Sequence, residues 1–524
     1  MSDTRTTAAI ARDMFSRFRR IKFTNNHLIL LYFLFPAIMN MIVVHSLSKT
    51  HRIYFCEKLF ISSISIFVLH FLFSIISIFL FFSIKRQRIF LFAYAVIAYA
   101  PSLLNVLHAV LAKESMNVSG IGLALNSDLR ETMHFINERF SILIILVVLL
   151  YLVVCFAGYY IKETDNHSQP LKKYKILTIV AFLSLLCSEQ LPFNVFLRGI
   201  QLQISQLWEV SDYATTASLS GIKSRISAAR QTYVIVIGES VDRKHMSLYG
   251  YGRKTTPHLD ALKSKLFVFK NPRSAFCHTT DSVREALRID DASCKNVINF
   301  MKDAGFKVFW FSNQGKSNFF DNQIARIASL ADHRVFLCNG SDFDTDFFDE
   351  ELLLHMDGAL QDPSEKKVIF LHLIGSHVPL DIRYPEKFKL FDVPETYHDA
   401  FKAEMVSHYD NSILYTDDVL KRAIDMLEKS GGCSCLLYFS DHGQDIYDTP
   451  ESKIFREISS DSQNMYEIPL LVWASDKYKK LNRNFIAGWD LEKNYVIDKL
   501  GYSIIDMMRL DHHKVMNRRN SLFR

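Results

Sequence analysis

The chain has 524 residues, 49% of them apolar, and a net charge of +6. That length admits two or three domains, and the apolar share is uneven: roughly the first 200 residues are far greasier than the rest, which marks a membrane region rather than one large core. Positive charge gathers at Arg5, Arg12, Arg17, Arg19, Arg20 and Lys22, where it orients a membrane segment; a nucleic-acid-binding role is the poorer reading.

In chain order, five hydrophobic runs come first: Leu28–Val44 with its flanks, Leu59–Ile84, Ile89–Leu111 (bent at Pro101), Ile142–Ile161 and Ile176–Leu197. Each approaches the roughly 20 apolar residues a helix needs to cross a bilayer. No small-residue cleavage site follows the first run, so it reads as a retained helix. The expected arrangement is therefore a five-helix bundle over residues 1–200, a linker over 201–230 and a second domain over 231–524. Lys85-Arg86-Gln87-Arg88 and the stretch from Lys162 to Lys175 share a side with the basic N-terminus in a five-helix topology. The positive-inside rule makes that side cytoplasmic and sends everything after the fifth helix to the opposite face. The loop at Lys49–Lys58 is basic too and runs against this trend. The long connector 113–140 contains Asn126-Ser127-Asp128-Leu129-Arg130-Glu131, which reads as a helix start with Ser127 as N-cap and Glu131 near the first turn.

From Thr232 the pattern changes. Strand-like runs at Thr232–Ile237, Lys307–Phe311, Lys367–Leu371, Cys435–Phe439 and Leu470–Ala474 alternate with helical patterns such as Asn296–Ala304 and Ser412–Lys429. Alternation of this kind predicts an α/β domain with a mainly parallel sheet, in which ligands bind beyond the carboxyl ends of the strands. Polar motifs stand at those ends: Gly238-Glu239-Ser240, Ser312-Asn313-Gln314, Gly375-Ser376-His377 and Ser440-Asp441-His442. Glu239, Asp441 and His442 offer two carboxylates and an imidazole, a donor set that suits Zn²⁺. A hydroxyl from Thr279 or Thr280, at the predicted start of a helix, would be the nucleophile that a metal activates; either threonine also serves as an ordinary cap. The eight cysteines lack metal-ligand spacing. Cys294 and Cys338 are candidates for a disulfide in an oxidising compartment, and Cys433 and Cys435 read as packing residues on one strand face.

These residues together resemble a family. Val236-Ile237-Gly238-Glu239-Ser240, Arg243, Met246-Ser247-Leu248-Tyr249-Gly250-Tyr251, Arg253 and Thr255-Thr256-Pro257 look like the opening signature of the bacterial phosphoethanolamine transferases of the alkaline-phosphatase/sulfatase superfamily. Thr279-x-x-Ser282, the segment Ser407–Asp417 and Ser440-Asp441-His442-Gly443 resemble their further motifs. The resemblance covers nearly the whole chain. It implies a sulfatase-like α/β domain, zinc held by Glu239, Thr279, Asp441 and His442, and Thr279 as nucleophile. It also implies that His377, in Gly375-Ser376-His377-Val378-Pro379, binds substrate phosphate or completes a second zinc site. Ser127 and Glu131 become substrate-headgroup residues. Glu467 stands where the lipid A enzymes carry a histidine, Ala275 and Glu285 stand where those enzymes carry cysteines, and Trp310-Phe311-Ser312-Asn313-Gln314 looks more like the core- or glucan-modifying branch.

The reaction so implied is a ping-pong transfer of phosphoethanolamine from phosphatidylethanolamine, via Thr279, to lipopolysaccharide, lipid A or a periplasmic glucan. The enzyme would sit in a bacterial inner membrane among membrane lipids, with a cytoplasmic N-terminus and a periplasmic catalytic domain. A lipoteichoic-acid-synthase-like glycerol phosphate transferase fits less well, because the acidic Glu131 suits an ammonium headgroup. A soluble-ester sulfatase or phosphatase does not need five membrane helices. A non-catalytic scaffold would lack at least one of the four ligands, and all are present.

Overall fold

The computed structural model describes residues 24–50, 57–84, 86–112, 121, 142–162, 175–186, 191–215, 222–289, 296–315, 323–338, 347–392, 399–448, 462–511 and 520–523. The chain divides into two compact units near residue 202.

The first unit is helical: α1 (Asn25–Thr50), α2 (Glu57–Ser83), α3 (Gln87–Tyr94), α4 (Ala100–Ala112), α5 (Ile142–Ala157) and α6 (Lys175–Leu186), with α7 (Pro192–Thr215) starting at its end. Among the described residues three stretches, Asn25–Ile42, Gln87–Leu111 and Ile142–Tyr160, are long and apolar enough to cross a membrane, and Val68–Ser83 is a shorter apolar helix. The large apolar side chains on their outer faces, such as Phe92, Val153, Phe156 and Ile176, are exposed, as lipid-facing residues must be. Two expectations need correction. The third run is interrupted not at Pro101 but before it, by a π-helical turn at Ala95–Tyr99. Proline lacks an N–H and its ring crowds the carbonyl four residues back, so the widened turn takes up the misfit on the N-terminal side. The fifth run is not one helix: α6 ends at Leu186 and α7 begins at Pro192, a residue suited to the first helical turn. In α1, Pro36 leaves the Tyr32 carbonyl without its helical donor, and the Tyr99 hydroxyl donates to that oxygen at 2.7 Å.

The second unit is built on a seven-stranded sheet in the order β2-β7-β6-β1-β5-β3-β4. The strands are β1 (Gln231–Gly238), β2 (Leu266–Phe269), β3 (Lys307–Ser312), β4 (His333–Phe336), β5 (Lys366–His372), β6 (Cys433–Ser440) and β7 (Leu470–Ala474). The five predicted strands are all present. β1, β3, β4, β5 and β6 run parallel, while β7 is antiparallel to both β6 and β2. Every residue from Tyr233 to Ile237 is fully buried, as expected for a central strand covered on both faces. Cys433 and Cys435 pack in one core cluster with Leu437 and Phe439, and burial pushes the Cys433 thiol up to about 11. Cys338 is buried, and Cys294 lies outside the described residues.

Helices α8 (Thr279–Leu287), α9 (Val297–Asp303), α10 (Glu351–Gln361) and α11 (Ala400–Ser430) lie between the strands in sequence. α11 starts three turns earlier than predicted, capped by Asp399, whose carboxylate accepts from the N–H groups of Phe401 and Lys402. Asp410, Asn411, Ser412 and Asp417 are all buried on this helix, and that polar run hides its helical period.

Candidate active site

Sheet register assembles the site. Gly238 pairs with Ser440 and Ile237 with His372, and Ser312 also pairs with His372. The next residues on β1, β6, β5 and β3 are Glu239, Asp441, Leu373 and Asn313, so four distant segments meet along one sheet edge. Glu239, Asp441 and His442 are fully buried there, each offering one ligand atom within 4.8 Å of the others. His442 Nε2 lies 3.2 Å from Glu239 Oε1 and 3.4 Å from Asp441 Oδ2. Its Nδ1 donates to the Gly443 carbonyl at 2.7 Å, which presents Nε2 to the two carboxylates.

Thr279 opens α8. Its hydroxyl donates to Glu239 Oε2 at 2.8 Å and lies 3.4 Å from His442 Nε2. Thr280 makes no side-chain hydrogen bond among the described residues. The helix start adds backbone N–H groups and the positive end of the dipole, which favour an anion. The set fits a divalent cation: two buried carboxylates side by side repel each other, and a cation among them, an imidazole nitrogen and a hydroxyl oxygen removes that cost.

The residues around the cluster hold it in place. Ser240 Oγ donates to Glu239 Oε1 at 2.6 Å, and the Ser240 N–H to Asp441 Oδ1 at 3.1 Å. Ser240 itself has φ +60°, a left-handed backbone that turns Glu239 and Ser240 sharply off the end of β1. Gly375 has φ +48°, and a Cβ there would lie 3.0 Å from the Glu239 carbonyl oxygen. Buried His372 is lowered to about 4 by desolvation, against the opposing pull of the Glu239 charge. The motif on α11 contributes a scaffold. Tyr409 OH donates to the Ser240 carbonyl at 2.7 Å and accepts from the Asp242 N–H at 2.8 Å, while Ser412 Oγ reaches Ser376 Oγ at 2.8 Å. Asp410 accepts from His245, Tyr251 and Arg253.

His377 is buried in the loop after β5, next to the cis Val378-Pro379 bond, with Nδ1 donating to the Val378 carbonyl at 2.7 Å. It is not in the ligand cluster found among the described residues. Ser127 and Glu131 lie outside the described residues. Glu467 is engaged by Arg243 at 3.3 Å, Lys244 at 2.5 Å and Arg273 at 3.7 Å, so it serves a basic cluster and not the metal-ligand group. Ser240 and Gln314 belong to the strand-end motifs, but their bonds to Glu239, together with Asp349 and the His245–Asp410–Asp448 bridge, were not readable from the sequence. For Ser240 and Gln314 the visible signal is a polar residue within two positions of the end of β1 or β3.

Residues 231–508 match the family model described as Sulfatase, and the chain belongs to that family. Within it the chain belongs to the phosphoethanolamine transferases. It is 27% identical to phosphoethanolamine transferase EptC of Escherichia coli K12 over 82% of this chain and 81% of that protein. The crystal structure of the C-terminal periplasmic domain of EptC from Escherichia coli, in complex with Zn, is 30% identical, with a TM-score of 0.54 over 59% of this chain and 90% of that one. The integral membrane phosphoethanolamine transferase A of Neisseria meningitidis shares the fold along 94% of this chain and 97% of its own, with a TM-score of 0.66 at 19% identity.

Proposed function

We propose that this protein transfers phosphoethanolamine from phosphatidylethanolamine to an envelope glycan or lipopolysaccharide acceptor through a covalent intermediate on Thr279. The observation that carries the reading is the Thr279 hydroxyl at the start of α8, hydrogen-bonded to Glu239 beside Asp441 and His442. Zinc is the metal we assign to these four residues, because the donor set suits it and the related EptC domain was crystallised in complex with Zn. A bound zinc would lower the pKa of the Thr279 hydroxyl and neutralise developing phosphoryl charge.

The chain's own residues account for the rest. Thr279 Oγ1 attacks the phosphorus, its proton directed toward Glu239 Oε2. The P–O bond to the glycerol oxygen breaks, and diacylglycerol leaves as the alcohol, taking up the proton that Thr279 gave to Glu239. An acceptor hydroxyl or phosphate then attacks the same phosphorus, the Thr279 Oγ1–P bond breaks, and one proton, from the acceptor hydroxyl or from solvent, restores the Thr279 hydroxyl. The N–H groups at the start of α8 face the phosphoryl oxygens. His377 is proposed as a phosphate contact, and Ser127 and Glu131 as contacts to the ethanolamine end. An odd number of membrane crossings with the basic segments cytoplasmic, as the positive-inside rule favours, would leave the catalytic unit in the periplasm, where such acceptors lie. The test is diacylglycerol release from phosphatidylethanolamine vesicles by the purified protein with zinc. Release by the unsubstituted protein and its loss in Thr279→Ala are expected; equal release by Thr279→Ala would overturn the reading.

A further inference from the structure

Gln314, the second residue after β3, is buried. Its Nε2 donates to Glu239 Oε2 at 3.0 Å and to the Leu373 carbonyl at 2.9 Å. An amide nitrogen carries two protons, so both are committed. The same Oε2 accepts the Thr279 hydroxyl at 2.8 Å, while Oε1 accepts from Ser240 Oγ at 2.6 Å. The Glu239 carboxylate therefore cannot turn without breaking a hydrogen bond on one of its oxygens. The Leu373 carbonyl is a fixed anchor, because the Leu373 N–H donates to the Ile237 carbonyl at 2.9 Å, tying it to β1 two residues before Glu239.

The neighbouring Asn313 works on the backbone of the same glutamate. Its Nδ2 donates to Asp349 Oδ1 at 3.0 Å, and Asp349 accepts from the N–H groups of Ile374 and Gly375, each at 2.9 Å. Asp349 thus fixes the turn in which Gly375 packs on the Glu239 backbone. Burial raises the Asp349 carboxyl, and its three donors oppose that effect.

We propose that Gln314 is the positioning residue for Glu239: it sets the carboxylate's rotation so that one oxygen faces the nucleophile while the other faces His442. The inference rests on the reading of Glu239 as a zinc ligand. Hydrogen-bond partners of metal ligands typically change metal affinity by roughly 10- to 100-fold when removed, and Gln314 stands in that relation to Glu239.

The experiment is a zinc titration of the purified full-length protein against a competing chromogenic chelator. It compares the unsubstituted chain with Gln314→Met, which keeps the volume and loses the donors, and Gln314→Ala, which loses both. Zinc affinity weaker by roughly 10- to 100-fold in both variants is expected. If a variant fails to fold, Gln314→Asn replaces it; its amide falls one methylene short of Glu239, and the same loss is expected. Unchanged affinity in Gln314→Met with a loss only in Gln314→Ala would reduce Gln314 to a packing residue and overturn the inference. Absence of zinc binding by the unsubstituted protein would overturn the metal reading itself, and the two failures are distinguishable in one titration.

Discussion

His245 gives the sharpest handle on what holds the catalytic unit together. Its imidazole is buried between Asp410, 2.8 Å from Nδ1, and Asp448, 3.0 Å from Nε2. Burial alone would lower its pKa, but the hydrogen bonds to the two carboxylates outweigh that and lift it from 6.5 to about 10. Because the folded-state pKa lies above the unfolded one, the stabilisation is fully present below the unfolded value of 6.5 and is lost as pH rises through about 10. By linkage, between about pH 7 and pH 9 the charged bridge should give up about 2 kcal/mol. His245→Gln removes this contribution while Arg253 and Tyr251 still engage Asp410. The variant should be less stable at neutral pH by about 3 kcal/mol, as for a broken buried pair, and the gap should narrow by about 2 kcal/mol toward pH 9. Buried Asp242 and Asp417, both raised to about 7 chiefly by desolvation, titrate at the lower edge of this window; Asp417 does so in both proteins, while Asp242, which the His245 charge pulls down, shifts further up in the variant, so the comparison is read from about pH 8 upward as well as from neutral pH. Of the four tryptophans, Trp310, Trp473 and Trp489 are buried in the α/β unit, so urea unfolding followed by fluorescence reads mainly this unit. A stability gap that is constant from neutral to alkaline pH, at fixed metal content, would refute the charged bridge.

Two further expectations concern the site's close contacts and its metal. An added Cβ at Gly443 would overlap the Asn464 carbonyl oxygen, whereas one at Gly252 meets nothing within 4 Å; Gly443→Ala should therefore displace His442 and abolish transfer, while Gly252→Ala leaves activity and unfolding midpoint unchanged, both read by diacylglycerol release and urea titration. Equal effects of the two would contradict the packing argument. Zinc at about 100 times its dissociation constant should stabilise the protein by about 2.7 kcal/mol. That gain should vanish in Asp441→Ala, and a chelator should reverse it; a gain that persists in Asp441→Ala would place the binding elsewhere.

The parts of this molecule that were legible in its sequence are those fixed by local pattern. Continuous apolar strands such as Thr232–Ile237 could be read because a strand covered on both faces has no other composition available to it. Glu239, Asp441 and His442 could be picked out because strand ends are where a parallel sheet gathers its ligands. The edge strands Leu266–Phe269 and His333–Phe336 were missed: they are only four residues long, and β4 is largely exposed. The early start of α11 was missed because Asp410 and Asn411, just before the predicted start, face polar partners in the interior, which breaks the apolar period. The bond from Gln314 to Glu239 joins residues 75 positions apart, and no spacing rule in a single sequence encodes it. The interruption of the third helix was assigned to Pro101 when the π-turn takes it up at Ala95–Tyr99, since a proline's strain is relieved upstream, where the carbonyl it crowds lies.

The most direct test of the central claim is intact-protein mass spectrometry after incubation with phosphatidylethanolamine and zinc, applied to the unsubstituted protein, Thr279→Ala and Thr280→Ala. The account predicts an adduct with the mass of a phosphoethanolamine group on the unsubstituted protein and on Thr280→Ala, and none on Thr279→Ala. An adduct that survives in Thr279→Ala, or no adduct on any of the three with zinc bound, would contradict it.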